Sequence, residues 1–253
     1  MQTLEITDEN GIRIIRLDRP KALNAFSQQL MDELAEAFID ARELDTVRVV
    51  VLTGNGRAFS AGADLTEMGQ PAEEPKYGFP GLLDAILTFP KPFLLAINGL
   101  GAGIGATICG LADFSFIAED ARLRCPFSAL GLTAEAGSTY LFPQLMGRQR
   151  ANWFLLSAQW MSAQECVDAG LVMEMCPTEE LLPTVMDRTQ TLAALPLSSL
   201  TTTKTLIMDP LREQLRKSVE AENAALAALV GTPANREALA AFREKREANL
   251  AIF

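Results

Sequence analysis

Apolar positions along the chain alternate between continuous runs and helical spacing, and that alternation predicts the elements. Residues 12–17 (IRIIRL) and 47–53 (VRVVVLT) are rich in β-branched side chains and read as strands. Between them, residues 27–44 repeat apolar side chains at three- and four-residue spacing, which predicts an amphipathic helix with Ser27 as its N-cap. Residues 93–97 and 114–118 read as buried strands on either side of a glycine-rich stretch that opens a helix near Ala102. Strands and helices alternate, so the fold class is α/β. Three prolines and three glycines between positions 67 and 81 predict a surface loop of the kind that gates a ligand. After Pro177 the pattern is helical over 179–195, 197–207, 211–229 and 233–249. The simplest organisation is an α/β core over residues 1–195 and a helical region over 196–253 that packs on the core or on another subunit.

Composition narrows the class. A chain of 253 residues with 49% hydrophobic content can bury a substantial core. Its net charge of -10 argues against nucleic acid or an anionic membrane as partner, while leaving room for a local basic pocket that takes a phosphorylated ligand. The longest apolar run, 92–111, carries five glycines and Asn98, which suits a strand, a turn and a packed helix better than a membrane span. The first ten residues are acidic rather than basic and apolar, so no signal peptide is expected and a cytoplasmic location is. The chain has no histidine, and Cys109, Cys125, Cys166 and Cys176 are widely spaced. A metal site and a Cys/His pair are therefore not expected, and the cysteines read as buried thiols.

Two stretches carry candidate chemistry, residues 58–65 (AFSAGADL) and 98–106 (NGLGAGIGA). Each follows a strand-like run and leads toward a helix, where unpaired backbone N–H groups favour developing negative charge. Together they could form an oxyanion hole, or their glycines could simply permit close packing. The Gly-x-Gly-x-Gly spacing of Gly101, Gly103 and Gly105 does not match a dinucleotide fingerprint.

Residues 18–25 (DRPKALNA), both glycine stretches with the helix following the second to Asp113, residues 162–165 (SAQE) through 169–172 (AGLV), and 242–250 occur in an order that resembles the enoyl-CoA hydratase/isomerase, or crotonase, superfamily nearly from end to end. The resemblance implies a crotonase-like ββα superhelix core with a C-terminal helical trimerisation region. It also implies a homotrimer or hexamer, and an acyl-CoA substrate whose coenzyme A enters as part of the thioester, with no prosthetic group. The amides of Ala63 and Ile104 would hold the thioester oxygen. Ala61, Ala63 and Leu65 would line the adenine pocket, and Lys21 with Lys245 or Arg246 would stand near the CoA phosphates, although an ordinary solvated face explains each of these cations equally well.

Hydratases of the family use two glutamates, and their positions correspond here to Thr107 and Phe127, neither of which can act as acid or base. A different carboxylate, Glu135, occupies the place of the single glutamate of the 3,2-enoyl-CoA isomerases. Flanked by Leu132, Ala134 and Ala136, it is expected to have a raised pKa suited to proton transfer. As a bare residue it reads equally as a surface acid in the first turn of a helix over 137–145. Asp64 and Asp113 read as structural acids, and Thr133 and Ser138 as hydroxyls that bond local backbone or orient Glu135. The functional expectation is a 3,2-enoyl-CoA isomerase, with a hydratase using displaced acids and a non-catalytic acyl-CoA binder as the alternatives.

Overall fold

The computed structural model describes residues 1–67 and 74–253. Its larger sheet holds β1 (Leu4–Glu9), β2 (Ile12–Leu17), β3 (Val49–Gly54), β5 (Phe93–Ile97), β7 (Phe114–Ala118) and β10 (Glu174–Cys176) in that spatial order; β1 and β2 are antiparallel and the others run parallel. A smaller sheet runs β4 (Ala58–Ser60), β6 (Leu100–Ala102), β8 (Arg122–Arg124), β9 (Trp160–Ser162). Successive units place one strand in each sheet: β3 and β4 lead toward helix α2 (Gly78–Leu87), and β5 and β6 lead into α3 (Ile104–Thr107). This is the expected ββα pattern.

Local chemistry explains the elements. Ser27 caps α1 (Gln28–Glu43) by accepting the Leu30 N–H at 3.2 Å, and the helix buries Leu30, Leu34 and Phe38. Phe38 meets Phe89 and Phe93 edge-on at 5.2 and 4.9 Å, joining α1 to the sheet. The strands β3 and β5 are buried along nearly their whole length, as parallel strands covered on both faces must be.

Three expectations need correction, and one strand was not foreseen. The acidic N-terminus forms β1, whose polar side chains are mostly exposed on a sheet edge and so carry little of the apolar alternation that marks a strand. The helices expected over 197–207 and 211–229 are one, α8 (Leu197–Leu229), which runs through Pro210 because Met208, Leu211 and Leu215 continue its inward stripe across the lost hydrogen bond. The final helix α9 (Pro233–Glu244) stops short of 249 at Lys245, whose φ of +54 is a left-handed cap. Of the loop expected over 67–81, residues 68–73 lie outside the described residues, and from Gly78 the chain is already in α2. The remaining helices α4 (Ser138–Met146), α5 (Arg148–Ser157), α6 (Ala163–Ala169) and α7 (Leu181–Ala193) complete the chain. No helix among the described residues is long and apolar enough to cross a membrane. The four cysteines are buried and free.

The DRPKALNA segment ties the sheets together. Asn24 is fully buried; its Oδ1 accepts the Arg19 N–H at 2.9 Å, and its Nδ2 donates to the carbonyls of Asn55 and Ala58 at 3.0 and 2.8 Å. Asn24→Ala strands these backbone groups, each at about 1–3 kcal/mol where water cannot replace the partner. Thermal unfolding should show a lowered midpoint, and an unchanged Tm would refute this role.

Candidate active site

The two glycine stretches meet because β4 and β6 are adjacent parallel strands, with Ala58 opposite Leu100 and Ser60 opposite Gly101. Parallel neighbours end on the same side, so the turn after β4 and the turn after β6 emerge together although they are distant in sequence. Gly62 has φ +91, and a Cβ placed on it would lie 2.8 Å from the Ala102 carbonyl oxygen. No other residue type fits that approach. Ser60 Oγ accepts the Gly62 N–H at 3.1 Å, and Phe26 N–H donates to the Gly62 carbonyl at 2.7 Å. The second turn is held by Gly103, φ +53, whose N–H donates to Arg124 O at 3.0 Å.

Within this frame neither the Ala63 nor the Ile104 N–H meets an acceptor among the described residues. Ile104 opens α3, where amides lack intrahelical partners. Both residues line a cavity of about 440 Å³, as do Ala61 and Leu65. Asp64 stays outside that wall and is structural: Arg19 donates to it at 2.9 Å and Thr66 Oγ1 at 2.6 Å, and these hydrogen bonds outweigh burial and lower its pKa.

Glu135 is brought to the same cavity from a segment between a short turn at Ser128–Leu130 and α4, so it precedes the helix rather than occupying its first turn. A Cβ built on Gly103 would come within 4.0 Å of Glu135 Oε1 and 3.6 Å of Gly62 Cα, so the carboxyl lies beside the second glycine turn, which itself packs on the first. The other wall residues are largely apolar, among them Phe26, Phe127, Leu132 and Trp160. Burial in these surroundings, with a smaller contribution from the negative charge of Glu222, pushes the Glu135 carboxyl up to about 7. Among the described residues the wall also holds one cation, Arg124, whose Nε donates to Ala158 O at 2.5 Å and whose guanidinium lies 5.7 Å from the Trp160 ring centre.

Ser138 Oγ donates to the Glu135 carbonyl at 2.7 Å, so it shapes the turn rather than touching the carboxylate. Thr107 is fully buried, its hydroxyl has no partner among the described residues, and Phe127 forms wall. The three basic residues expected near CoA phosphates are not part of the wall. Lys21 is exposed on the short turn Pro20–Ala22 and Lys245 is exposed at the end of α9. Arg246 is clamped by Glu237 at 2.5 Å and Glu244 at 2.6 Å.

Two contributions escaped sequence reasoning. Leu226 and Val230 at the end of α8 and Phe242 on α9 form wall, so the C-terminal region helps build the site. Glu222, 5% exposed on α8, accepts from Gly137 N at 2.6 Å, Thr139 N at 2.9 Å and Thr139 Oγ1 at 2.5 Å. In sequence it is one acid among many on a charged helix, and only its place on the buried face could have singled it out.

Comparison with known proteins shows the family of the chain. Residues 7–251 match the enoyl-CoA hydratase/isomerase family model. The chain is 34% identical over 229 residues to enoyl-CoA delta isomerase 2 from Homo sapiens, covering 87% of this chain and 58% of that protein. It thus spans somewhat over half the length of that relative. The crystal structure of an enoyl-CoA hydratase/isomerase from Pseudoalteromonas atlantica T6c superposes with a TM-score of 0.94 at 30% identity, covering 98% of this chain and 99% of that one. That of an enoyl-CoA hydratase from Mycobacterium marinum is 49% identical with a TM-score of 0.79, covering 82% of this chain and all of that one.

Proposed function

Because the chain belongs to the enoyl-CoA hydratase/isomerase family, we propose that it is a 3,2-enoyl-CoA isomerase in which Glu135 moves the proton and the amides of Ala63 and Ile104 hold the thioester oxygen. The observation that carries the reading is that Glu135 lies beside the Gly103 turn and shares one cavity with both glycine turns, with no second carboxylate among the described wall residues. Glu135 takes a proton from carbon 2 of a 3-enoyl-CoA. The electron pair spreads into a dienolate whose oxygen accepts the two N–H groups, each worth about 3–4 kcal/mol in a preorganised site. The same carboxyl returns the proton at carbon 4, giving the 2-enoyl-CoA with no net gain or loss of protons.

Hydration needs a water held and activated, which is the task of two carboxylates in the family's hydratases. Thr107 and Phe127 supply neither, and the apolar wall supports proton shuttling over water addition. Assay of 3-hexenoyl-CoA isomerisation beside crotonyl-CoA hydration tests the reading. Isomerisation should dominate; hydration of comparable or greater efficiency would overturn it. Tight binding of CoA thioesters with no turnover of either would instead support a binding protein.

The pH dependence follows from the same carboxyl. Only ionised Glu135 can accept the proton, and its pKa is about 7, so kcat/KM should be level above that value and fall about tenfold per unit below it. A limb near 4.5 in the free enzyme would contradict the assigned base.

A homotrimer or hexamer is part of this reading. It is supported by the large apolar side chains Trp153, Leu156, Leu206 and Ile207, each at least 63% exposed in the single chain. We retain Ala61 and Leu65 as CoA contacts and Lys21 or Lys245 as candidates for the phosphates, since both lysines are exposed; Arg246 would have to leave its acids to serve.

A further inference from the structure

The segment that carries Glu135 ends in an unusual turn. Ala136 and Gly137 both have positive φ, +61 and +72, and Gly137 is the N-cap of α4 with no side chain of its own to satisfy the first amides. Those amides are met from 83 and 85 residues away by Glu222, whose carboxylate takes the N–H groups of Gly137 and Thr139 and the Thr139 hydroxyl. Glu222 is buried, and that burial outweighs the three hydrogen bonds that favour its ionised form, so its pKa is raised. It does not line the cavity.

We propose that Glu222 is a positioning residue for Glu135: from α8 it locks the left-handed turn that aims the Glu135 carboxyl into the cavity beside the glycine turns, and it brings a second buried carboxylate to that turn. The proposal rests on the reading of Glu135 as the proton carrier. The titratable groups facing Glu135 are Glu222 from α8 and the Cys125 thiol beyond β8, and burial keeps that thiol neutral by raising its pKa well above the ordinary value. The cavity wall also brings Arg124, whose guanidinium is engaged by the Ala158 carbonyl and the Trp160 ring, and Glu222 is the negative charge that can act. Two like charges in a buried site oppose each other's ionisation, so neutralising Glu222 must make Glu135 a stronger acid. Helix α8 thus sets both the place and the proton affinity of Glu135 through a residue that does not itself line the cavity.

The test combines Glu222→Gln, Glu222→Asp and Thr139→Val in the full chain. The Glu135 side-chain carboxyl is titrated by NMR with carbon-13-labelled glutamate, its resonance assigned by its loss in Glu135→Gln. In Glu222→Gln the Glu135 midpoint should fall by about one pH unit, and kcat with 3-hexenoyl-CoA should fall at least tenfold with KM nearly unchanged. Glu222→Asp and Thr139→Val keep the charge but loosen the turn, so kcat should fall several-fold while the midpoint stays high. A midpoint unmoved in Glu222→Gln, or full kcat in both Glu222 variants, would overturn the proposal. If the Gln variant does not fold, an unaltered kcat in the Asp and Val variants overturns it in the same way. The titration needs no turnover, so failure of the isomerase reading is told apart by loss of activity in the parent protein, with the Glu135 midpoint still reporting on Glu222.

Discussion

Glu135→Gln is expected to lower kcat for 3-enoyl-CoA isomerisation by about 10³-fold or more, toward the upper end of what general acid–base catalysis contributes. Gln keeps the shape of the side chain but can neither accept a proton from carbon 2 nor return one at carbon 4. Affinity for a saturated acyl-CoA should hold within a few-fold, because the amides of Ala63 and Ile104 and the cavity wall are untouched. The same substitution should stabilise the fold at alkaline pH. A carboxyl with a pKa of about 7 in the folded protein and about 4.5 unfolded binds more protons when folded between those values. Stability therefore falls as pH rises from 4.5 to 7, and the cost is fully present above 7. Gln does not ionise and escapes that cost, so the variant's Tm should exceed the parent's at pH 8, with the gap closing toward pH 5. A variant that keeps its activity dismisses Glu135 as the base; a pH-independent Tm difference dismisses its buried ionisation.

Gly62→Ala is expected to cost about 10²–10³-fold in kcat, the loss seen when one oxyanion donor is removed, and to lower stability as well. The added methyl would lie 2.8 Å from the Ala102 carbonyl oxygen, a backbone atom of the opposing turn, and the residue would be held at φ +91, where alanine is strained. To relieve both, the turns must part, and the Ala63 and Ile104 amides then cannot converge on one oxygen. Circular dichroism and thermal unfolding would show a folded but less stable protein, and kinetics with 3-hexenoyl-CoA would show the loss in kcat rather than chiefly in KM. Near-normal turnover would mean that the two turns need not touch for the reaction, which would remove the hole from the mechanism.

Much of this site was legible because its parts are local. Ser27 and its helix, the strands at 12–17, 93–97 and 114–118, and the turn glycines each follow from side-chain chemistry within a few residues, and they are found where the pattern puts them. The edge strand β1 was hidden because pairing on one side with mostly exposed residues demands little apolar alternation. Pro210 was a false stop: a proline within a long helix costs a hydrogen bond, and packing on both sides of it decides whether the helix continues.

The residue types at 107, 127 and 135, the absence of histidine and the order of the motifs are properties of the sequence alone, and they already direct the chemistry toward a single carboxyl. Tertiary structure decided what that carboxyl faces. Parallel pairing of β4 with β6 brings two remote turns into contact; the return of α8 delivers Glu222 to the amides of Gly137 and Thr139; and the ends of α8 and α9 close the cavity with Leu226, Val230 and Phe242. Such contacts join segments separated by dozens of residues, and no local propensity encodes them. Charge and burial act through space, so the proton affinity of Glu135 belongs to the folded chain even though its carboxyl is written in the sequence.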